Sequence, residues 1–332
     1  MKKIQRIMFL TCICFISVAS GMCKSEEKLS TFVDENGKLR VEGTQLVNEK
    51  GKPLVLNGVS FGWHLWHSRF YKEATVEWLA TDWQATVVRA AMGVSEADGK
   101  LENGYLENPD FATNCVTTIV DAAIKTGIYA IIDFHSHTIQ TEAAKKFFTQ
   151  MAIRYKDAPN VIYEIFNEPW GNMPWPDVKA YSEEIIKTIR AIDPDNIILV
   201  GSPSWDQDLH LVAADPIVEQ SNIMYTMHFY AATHEKWLRD RCDDAIAKGI
   251  PIFVSECAGM EASGDGPINY EAWNDYLTWM TANKISWAAW SLSDKNETCS
   301  MLTPEAASEG GWNDYVIKEW GKVVKAALRV EN

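Results

Sequence analysis

The chain has 332 residues, of which 47% are hydrophobic and 23% charged, a composition typical of a globular protein and not of a disordered one. Its formal net charge of −14 and its pI near 5.0 exclude nucleic-acid binders that depend on a basic surface. The 14 tryptophans are more than a folded core ordinarily needs.

Residues 1–22 have the pattern of an export signal. Three cations, Lys2, Lys3 and Arg6, precede an apolar run that is too short for a membrane span. The small residues at 18–20 offer a cleavage site. The chain is therefore predicted to be exported.

Lipoprotein processing is a second interpretation, with Cys23 as the acylated residue. Both interpretations predict a secreted, periplasmic or cell-surface protein, attached to a membrane only through a lipid at Cys23. Residues 24–35 are polar and predict a tether. Residues 36–332 contain no low-complexity linker and predict a single domain, which we expect to be a monomer.

The domain opens with a predicted β-hairpin over residues 38–56. Eight apolar runs follow, alternating with helical patterns such as 143–155, 178–192, 270–283 and 312–328. The eight runs lie at 54–59, 86–91, 128–134, 161–166, 196–200, 223–228, 250–255 and 285–290. Most are apolar throughout, as parallel strands buried on both faces should be. The alternation predicts an α/β fold, a (β/α)8 TIM barrel, and not an open doubly wound sheet, because no glycine-rich phosphate loop follows the first run.

Two carboxylates stand where such a barrel keeps its chemistry, just after a strand. Glu168 follows the fourth run and Glu256 the seventh. Glycoside hydrolysis needs such a pair, since one carboxyl protonates the departing oxygen while the other attacks the sugar carbon or activates water. A separation of about 5–5.5 Å gives retention and about 6.5–9.5 Å gives inversion, and both stay open at this point.

Arg89 lies inside the second apolar run, and a buried guanidinium needs a paired carboxylate. We expect Glu256 to be that partner and to stay ionised through the pairing. Tyr230 is a further candidate donor to Glu256, and Asn167 a candidate donor to a sugar 2-hydroxyl. The acid role requires a proton on Glu168, so we expect its pKa to be raised and activity to peak slightly below neutral pH.

The histidines leave a metal site open as an alternative. His135 and His137 follow the third run and His228 follows the sixth, as the ligands of barrel metallohydrolases do. A clear bridging carboxylate or lysine and a further histidine are missing from the pattern. We therefore expect no metal and take His135 as a pocket residue, while His137 is either a pocket residue or a structural hydrogen-bond partner.

Four segments resemble glycoside hydrolase family 5, the cellulase family. Residues 162–169 resemble its Asn-Glu-Pro signature, 228–234 its sixth-strand segment and 252–256 its nucleophile strand. Residues 287–295 resemble the eighth-strand segment of its bacterial endo-β-1,4-glucanase branch. The segments occur in the family's order along the chain.

The resemblance implies a TIM barrel that hydrolyses β-glucan polysaccharide or oligosaccharide with retention and without a cofactor. It implies that Glu168 is the acid/base and Glu256 the nucleophile. It also implies supporting roles for residues that match family positions: Arg89, His135, Asn167, His228 and Tyr230 around the carboxylates, Trp290 under the sugar at the cleavage point, Lys295 as a substrate donor, and Trp66 and Trp205 as flanking platforms.

The chain departs from this branch at two places. Residues 60–66 stand where relatives often read Ser-His-Gly-Leu-Gln-Trp, and Gly93 stands where they often have tyrosine. Trp63 and His64 are therefore candidate substrate-binding residues without an assigned role. The predicted function is an endo-β-1,4-glucanase, and the alternatives are a mannanase, a xyloglucanase, a mixed-linkage glucanase or a non-catalytic glycan-binding lipoprotein.

The tryptophan excess fits this prediction. Trp66, Trp170, Trp205 and Trp290 each follow a predicted strand. An indole stacks on the C–H face of a sugar ring while neighbouring polar groups bond its rim. We expect these four to line a cleft for an uncharged polysaccharide, while others, such as Trp320, pack helices onto the barrel.

Overall fold

The computed structural model describes residues 30–94 and 102–330. Its large sheet consists of eight parallel strands: β3 (Asn57–Phe61), β4 (Val87–Gly93), β5 (Tyr129–His135), β6 (Val161–Glu164), β7 (Ile197–Val200), β8 (Ile223–Tyr230), β9 (Ile252–Ala258) and β10 (Trp287–Leu292). They follow one another around a closed barrel, with β10 paired to β3. The predicted (β/α)8 barrel is confirmed, and the apolar runs are strands buried on both faces.

Helices lie between the strands and near both chain ends. They are α1 (Phe32–Asn36), α2 (His64–His67), the 3-10 helix η1 (Ser68–Phe70), α3 (Glu73–Thr81), α4 (Pro109–Thr126), α5 (Thr141–Tyr155), α6 (Trp175–Arg190), the single turn α7 (Pro203–Asp206), α8 (Leu209–Ala214), α9 (Lys236–Ala247), α10 (Tyr270–Asn283) and α11 (Glu319–Val330). Among the helices of the described residues, none combines the length and the hydrophobicity that a membrane span requires.

The last helix begins later than predicted. It starts at Glu319 and not at residue 312. The preceding segment is not helical: it contains a turn at residues 314–316, Ile317 forms a β-bridge with Leu302, and the Trp312 indole donates to the carbonyl of Ala307 at 2.7 Å.

A predicted hairpin closes one end of the barrel. β1 (Arg40–Glu42) pairs with β2 (Gln45–Val47) in antiparallel register, which confirms the prediction. Apolar side chains from α1, the hairpin and the starts of the strands form one buried cluster, here called the lower plug: Val33, Leu39, Leu46, Leu56, Val87, Tyr129, Ile131, Ile162, Ile197, Leu199, Met224 and Phe253. The barrel is therefore filled at its amino-terminal end, and the opposite end is left for chemistry.

The domain starts earlier than the predicted tether allows. Thr31 caps α1 through a reciprocal pair of hydrogen bonds with Asp34, at 3.1 and 3.0 Å. Val33 is buried in the lower plug, and its amide donates to the carbonyl of Gly127 at 2.9 Å. The predicted boundary at residue 36 is thus wrong, because a cap and one buried valine tie residues 31–35 to the barrel.

The predicted signal at residues 1–22, the acylation candidate Cys23 and the tether up to residue 29 lie outside the described residues. Within the described ranges, the cysteines are free thiols with buried side chains: Cys115, Cys242, Cys257 and Cys299.

Candidate active site

The two predicted catalytic carboxylates meet at the carboxyl end of the barrel. Glu256 lies on β9, in register with His228 on β8. Glu168 lies four residues after the end of β6. Its backbone amide donates to the carbonyl of Ser136, which follows β5, at 3.3 Å. One carboxylate oxygen of Glu168 and one of Glu256 lie within 4.8 Å of each other.

Arg89 holds the acidic groups of this end together. It is fully buried on β4, and its guanidinium contacts Glu164 at 2.7 Å, Asp133 at 2.9 Å and Glu256 at 3.1 Å. Burial would lower the pKa of Arg89, but the three carboxylates raise it well above its usual value. The expected pairing of Arg89 with Glu256 is confirmed, and Glu256 is one of three carboxylates that share this guanidinium.

Sequence reasoning missed the other two acids of this cluster. Glu164 is the last residue of β6, and Asp133 lies near the end of β5, in register with it. The sequence did contain a signal for both residues, because burying a charged side chain within an apolar strand costs free energy unless the charge is paired. The pattern that drew attention to Arg89 applied equally to these two residues.

His228 links the acid/base candidate to the same cluster. Its Nδ1 lies 2.9 Å from Oε1 of Glu168, and its Nε2 lies 2.8 Å from Oγ of Ser255. Ser255 in turn donates to Glu164 at 2.7 Å. Burial lowers the pKa of His228, but Asp206 and the neighbouring glutamates raise it well above the usual value.

The protonation preferences of the two glutamates are opposite to the expectation. Burial raises the pKa of Glu168, but hydrogen bonds from His137 and His228 outweigh it and bring the value to about 2. Burial and the charge of Glu168 raise the pKa of Glu256, despite Arg89. The reason is the short Glu168–Glu256 separation, because two carboxylates this close disfavour each other's ionisation. The His228 ring hydrogen-bonds to Glu168 and not to Glu256, so the ionised form of Glu168 is the one favoured.

Tyr230 and Asn167 complete the surroundings of the carboxylates. The Tyr230 hydroxyl donates to Oε1 of Glu256 at 2.7 Å, as expected. Oδ1 of Asn167 accepts from Arg89 at 2.6 Å. Its buried Nδ2 has no hydrogen-bond partner among the described residues. Since buried donors are normally satisfied, this amide is free to bond a ligand.

His135 is buried beside the carboxylates and does not form a metal site with His137 and His228. Its Nδ1 lies 2.6 Å from Asp133, and its ring stacks on Trp290 with centroids 5.5 Å apart. The rival metal set of His135, His137 and His228 is not brought together. Among the described residues, the only trio of potential ligand side chains within 4.8 Å is Glu168, His228 and Glu256, and two of these already hydrogen-bond to each other.

Aromatic side chains line a cavity beside Tyr230. Trp63, Trp66 and Trp290 lie on its wall, and Trp63 stacks on Trp66 with ring centroids 5.0 Å apart. Lys295 also lines it and forms an ion pair with Glu297, a residue that the sequence did not single out. This wall combines flat apolar faces with a charged rim, as sugar recognition requires.

Trp205 is held close to Glu168 on a different loop. Its amide donates to the carbonyl of Pro169 at 3.0 Å, and its indole is 45% exposed. A side chain at Gly171 would place Cβ 2.5 Å from this indole, so glycine lets the loop pass. Trp170, 39% exposed, lies in sequence between Pro169 and Gly171, the two residues that contact Trp205.

His64 does not face the cleft, so its candidate role in substrate binding is wrong. The ring is fully buried, Nδ1 accepts from the amide of Gly93 at 3.1 Å, and Nε2 lies 2.7 Å from the carbonyl of Asn103. Gly93 has a second effect, since a Cβ there would lie 2.8 Å from the Trp63 indole. The two departures from the branch pattern are thus coupled, because the glycine makes room for both Leu65 and Trp63.

Comparisons with known proteins agree with this geometry. A family model described as cellulase (glycosyl hydrolase family 5) matches residues 47–296. The chain is 39% identical over 336 residues to Endoglucanase 5 of Pectobacterium carotovorum, covering 99% of this chain and 65% of that one. A solved structure from Cytophaga hutchinsonii is similar with 43% identity and a TM-score of 0.88, covering 91% of this chain and 97% of that chain.

A further similar structure contains a sugar. It is a variant of the Thermobifida fusca endoglucanase catalytic domain in complex with cellotetraose, with 34% identity and a TM-score of 0.83, covering 90% of this chain and 99% of that chain. The chain spans about two thirds of the length of the curated relatives it matches, from 57% to 74%. The barrel, the carboxylate pair and these matches together show that the chain belongs to glycosyl hydrolase family 5, the cellulase family.

Proposed function

We propose that this protein is a retaining endo-β-1,4-glucanase that hydrolyses internal bonds of β-glucan by double displacement. The observation that carries the proposal is the pair Glu168 and Glu256, with oxygens within 4.8 Å at the carboxyl end of the barrel. That spacing fits the shorter separation, about 5–5.5 Å, which leaves no room for a water molecule between nucleophile and sugar. The named endoglucanases among its relatives support the substrate class.

In the first step, Glu256 attacks the anomeric carbon and Glu168 gives a proton to the departing oxygen. Two donors support the ionised form of Glu256, Arg89 at 3.1 Å and the Tyr230 hydroxyl at 2.7 Å. Asn167 presents its unpartnered Nδ2, which fits a bond to the sugar 2-hydroxyl that strengthens in the transition state.

In the second step, Glu168 takes a proton from water as that water attacks the glycosyl–Glu256 ester. The sugar leaves with its original anomeric configuration, and both carboxyls return to their starting protonation states. No step needs a metal or an organic cofactor.

The walls of the site support a neutral glycan as the substrate. The indoles of Trp66, Trp205 and Trp290 are partly exposed, and two of them, Trp66 and Trp290, line the same cavity as Tyr230. A neutral sugar ring loses little hydration when its C–H face stacks on an indole. A polyanion, in contrast, would be repelled by the net negative charge of the protein.

Two alanine variants test the catalytic pair. Glu168→Ala and Glu256→Ala should each lose nearly all hydrolysis of carboxymethyl cellulose, with folding checked by circular dichroism. Glu77→Ala, which removes an exposed glutamate of α3, is the matched control and should keep full activity. Wild-type activity retained by either site variant would remove the carboxylate pair from the mechanism.

The stereochemistry has its own test. Proton NMR of cellopentaose hydrolysis should show the β-anomer first, followed by slow mutarotation to the α-anomer. Early appearance of the α-anomer would mean inversion and would overturn the nucleophile role of Glu256.

A substrate panel decides between this function and its closest alternatives. The coupled change at Trp63 and Gly93 alters one wall of the cleft, which keeps mannan, xyloglucan and mixed-linkage glucan as candidate substrates. We expect the highest kcat/KM on a β-1,4-glucan. Binding without products would favour a glycan-binding protein, and loss of activity with a chelator would favour metal chemistry.

We also propose that the protein acts outside the cytoplasm. The proposal rests on the basic start, the apolar run and Cys23 in the sequence. Fractionation of producing cells should find it in the medium, the periplasm or the envelope. A Cys23→Ala variant that moves from envelope to medium would establish the lipid anchor, and recovery of mature protein in the cytoplasm would contradict export.

A further inference from the structure

The turn α7 has an unusual backbone for the residues it contains. Ser204, Trp205 and Asp206 all have left-handed conformations, with φ of 58°, 55° and 61°. Non-glycine residues adopt this region only rarely, and three in succession are rarer still. Such conformations persist where the surrounding structure demands them, often at functional sites.

The left-handed turn sends adjacent side chains in opposite directions. Trp205 is 45% exposed, whereas Asp206 is fully buried. Oδ1 of Asp206 accepts from the amide of Ser202, which closes the turn. Oδ2 faces Nε2 of His228 at 3.4 Å. The left-handed turn therefore places the Asp206 carboxylate against the His228 ring, and this ring hydrogen-bonds to Glu168.

The contacts of His228 indicate that both of its ring nitrogens carry protons. Nδ1 faces the carboxylate of Glu168 at 2.9 Å. Nε2 faces three oxygens, Ser255 at 2.8 Å, Asp206 at 3.4 Å and Glu164 at 3.7 Å. The Ser255 hydroxyl already donates to Glu164, so it accepts from the ring. An imidazole flanked by acceptors on both sides is satisfied best as an imidazolium.

Other charges around His228 act in both directions. Carboxylates favour its charged form, and cationic or protonatable neighbours oppose it. The titratable groups that interact with the ring are Asp206 on α7, Glu164 on β6, Glu168 after β6, Glu256 on β9 and Asp133 on β5, with His135 on β5 and His234 after β8 on the opposing side. Arg89 on β4 and His137 after β5 pair with the same carboxylates, at Glu164 and Glu168. Among these groups, Asp206 contributes most to the raised pKa of His228. Burial raises the pKa of Asp206 itself well above its usual value, and the His228 ring opposes that shift, so the two groups favour the charged form of each other.

The geometry points to Asp206 as a positioning residue for the catalytic proton: it holds His228 as an imidazolium whose Nδ1–H supplies Glu168. This inference rests on the proposed function of Glu168. The proton moves from Nδ1 of His228 to Oε1 of Glu168, which leaves a neutral imidazole with its remaining proton on Nε2. Glu168 then protonates the departing oxygen. In the second step it takes a proton from water and can return one to Nδ1, so protons balance over the cycle.

NMR of the wild-type protein tests the first half of this inference without any catalytic measurement. With ring-labelled histidine, and His228 assigned by its loss in His228→Asn, its titration midpoint should lie above about 6.5, the value of free histidine. A midpoint below that value would overturn the inference. Because no substrate is involved, the result stands even if the protein proves not to be a glucanase.

Asp206→Asn tests the second half. The amide keeps the bond to Ser202 but removes the charge, so His228 and Glu168 together should release their proton at lower pH. We expect the alkaline limb of kcat/KM to move down by about one pH unit, and the His228 midpoint to move with it. An unchanged alkaline limb in a folded variant would overturn the inference. Asp206→Ser, which also lacks the charge, should give the same shift and replaces the amide if that variant does not fold.

Asp208→Asn is the matched control. Asp208 belongs to the same loop and bonds Ser204 and Arg241, but among the described contacts it has none with His228. Its variant should leave the pH profile in place even if the thermal midpoint falls. An equal shift in both variants would mean that the turn acts through general loosening, which contradicts a specific role for Asp206.

Discussion

Both ends of the barrel are buried, but one is filled by apolar side chains and the other by charged side chains. The lower plug closes the amino-terminal end with aliphatic and aromatic side chains such as Leu46 and Phe253. The carboxyl end encloses Arg89, Asp133, Glu164 and neighbours at equally low exposure. Burial by itself therefore does not mark the functional end, whereas the cost of the charges collected there does.

This difference separates what stabilises the fold from what performs chemistry. Apolar burial at the lower plug stabilises the barrel and needs no partners. The charged end is held only by mutual pairing, so each of its groups depends on others. A single substitution should consequently have local effects at the plug and cooperative effects at the carboxyl end.

The largest effect is expected from Arg89→Ala. Loss of the guanidinium leaves three buried carboxylates without their common cation, which should cost about 3–5 kcal/mol of unfolding free energy and abolish hydrolysis. Urea denaturation and a carboxymethyl cellulose assay measure the two effects. Arg154→Ala removes an exposed ion pair with Asp121 and should cost about 0–1 kcal/mol. Similar losses in both variants would contradict the special role of the buried cluster.

Leu46→Ala should come next, with an effect on stability alone. Leu46 is 1% exposed within the lower plug, and such truncations cost about 2–5 kcal/mol. kcat/KM at 25 °C should stay at the wild-type value, because the site lies at the other end. Ile153→Ala, at an exposed position of α5, should change stability by less than about 0.5 kcal/mol. A changed kcat/KM in Leu46→Ala would mean that the two ends are coupled.

The charged end should also give the protein a distinctive acid sensitivity. Burial opposes ionisation of Glu164, but the nearby cations Arg89 and His228 lower its pKa to about 2. Because the folded pKa is depressed, the stabilisation is complete above the unfolded value near 4.5 and is lost as pH falls toward 2. The stability gap between wild type and Glu164→Gln should therefore shrink by about 3 kcal/mol over this window. A gap independent of pH in urea titrations would contradict the assignment.

The smallest effect is expected at the rim of the charged end. Trp205→Ala removes one exposed stacking face and should raise KM about fivefold with little change in kcat. Trp279→Ala, on the outer helix α10, should leave KM unchanged. Initial-rate kinetics on cello-oligosaccharides separate the two. An unaltered KM in Trp205→Ala would exclude that indole as a sugar platform.

Much of the fold could be predicted from local pattern. The hairpin was predicted from two short strand-like segments and the eight barrel strands from apolar runs bounded by helical periodicity, because both signals extend over only a few residues. The late start of α11 and the early start of the domain at Thr31 could not be found in this way. A long-range bridge at Ile317 and the docking of Val33 decided them, and neither leaves a periodic trace.

The residues of the site likewise fall into those that local sequence pattern identified and those that only tertiary contacts placed. Glu168, Glu256 and Arg89 were identified because each stands at the end of a strand or inside an apolar run. His64 was misplaced, because its neighbourhood in sequence says nothing about which way the loop turns its ring. Asp206 was missed because its importance depends on a left-handed turn that carries it to His228.

The sequence alone determined the barrel, its order of strands and the presence of a carboxylate pair, since hydrophobic periodicity and strand-end positions are local properties. Only the tertiary structure decided which charges share a cation and how the protons are distributed among them. Glu168 and Glu256 are 88 residues apart in the chain, yet their oxygens lie within 4.8 Å. Coulombic coupling depends on that distance in space and on burial, and neither is written in the spacing of residues along the chain.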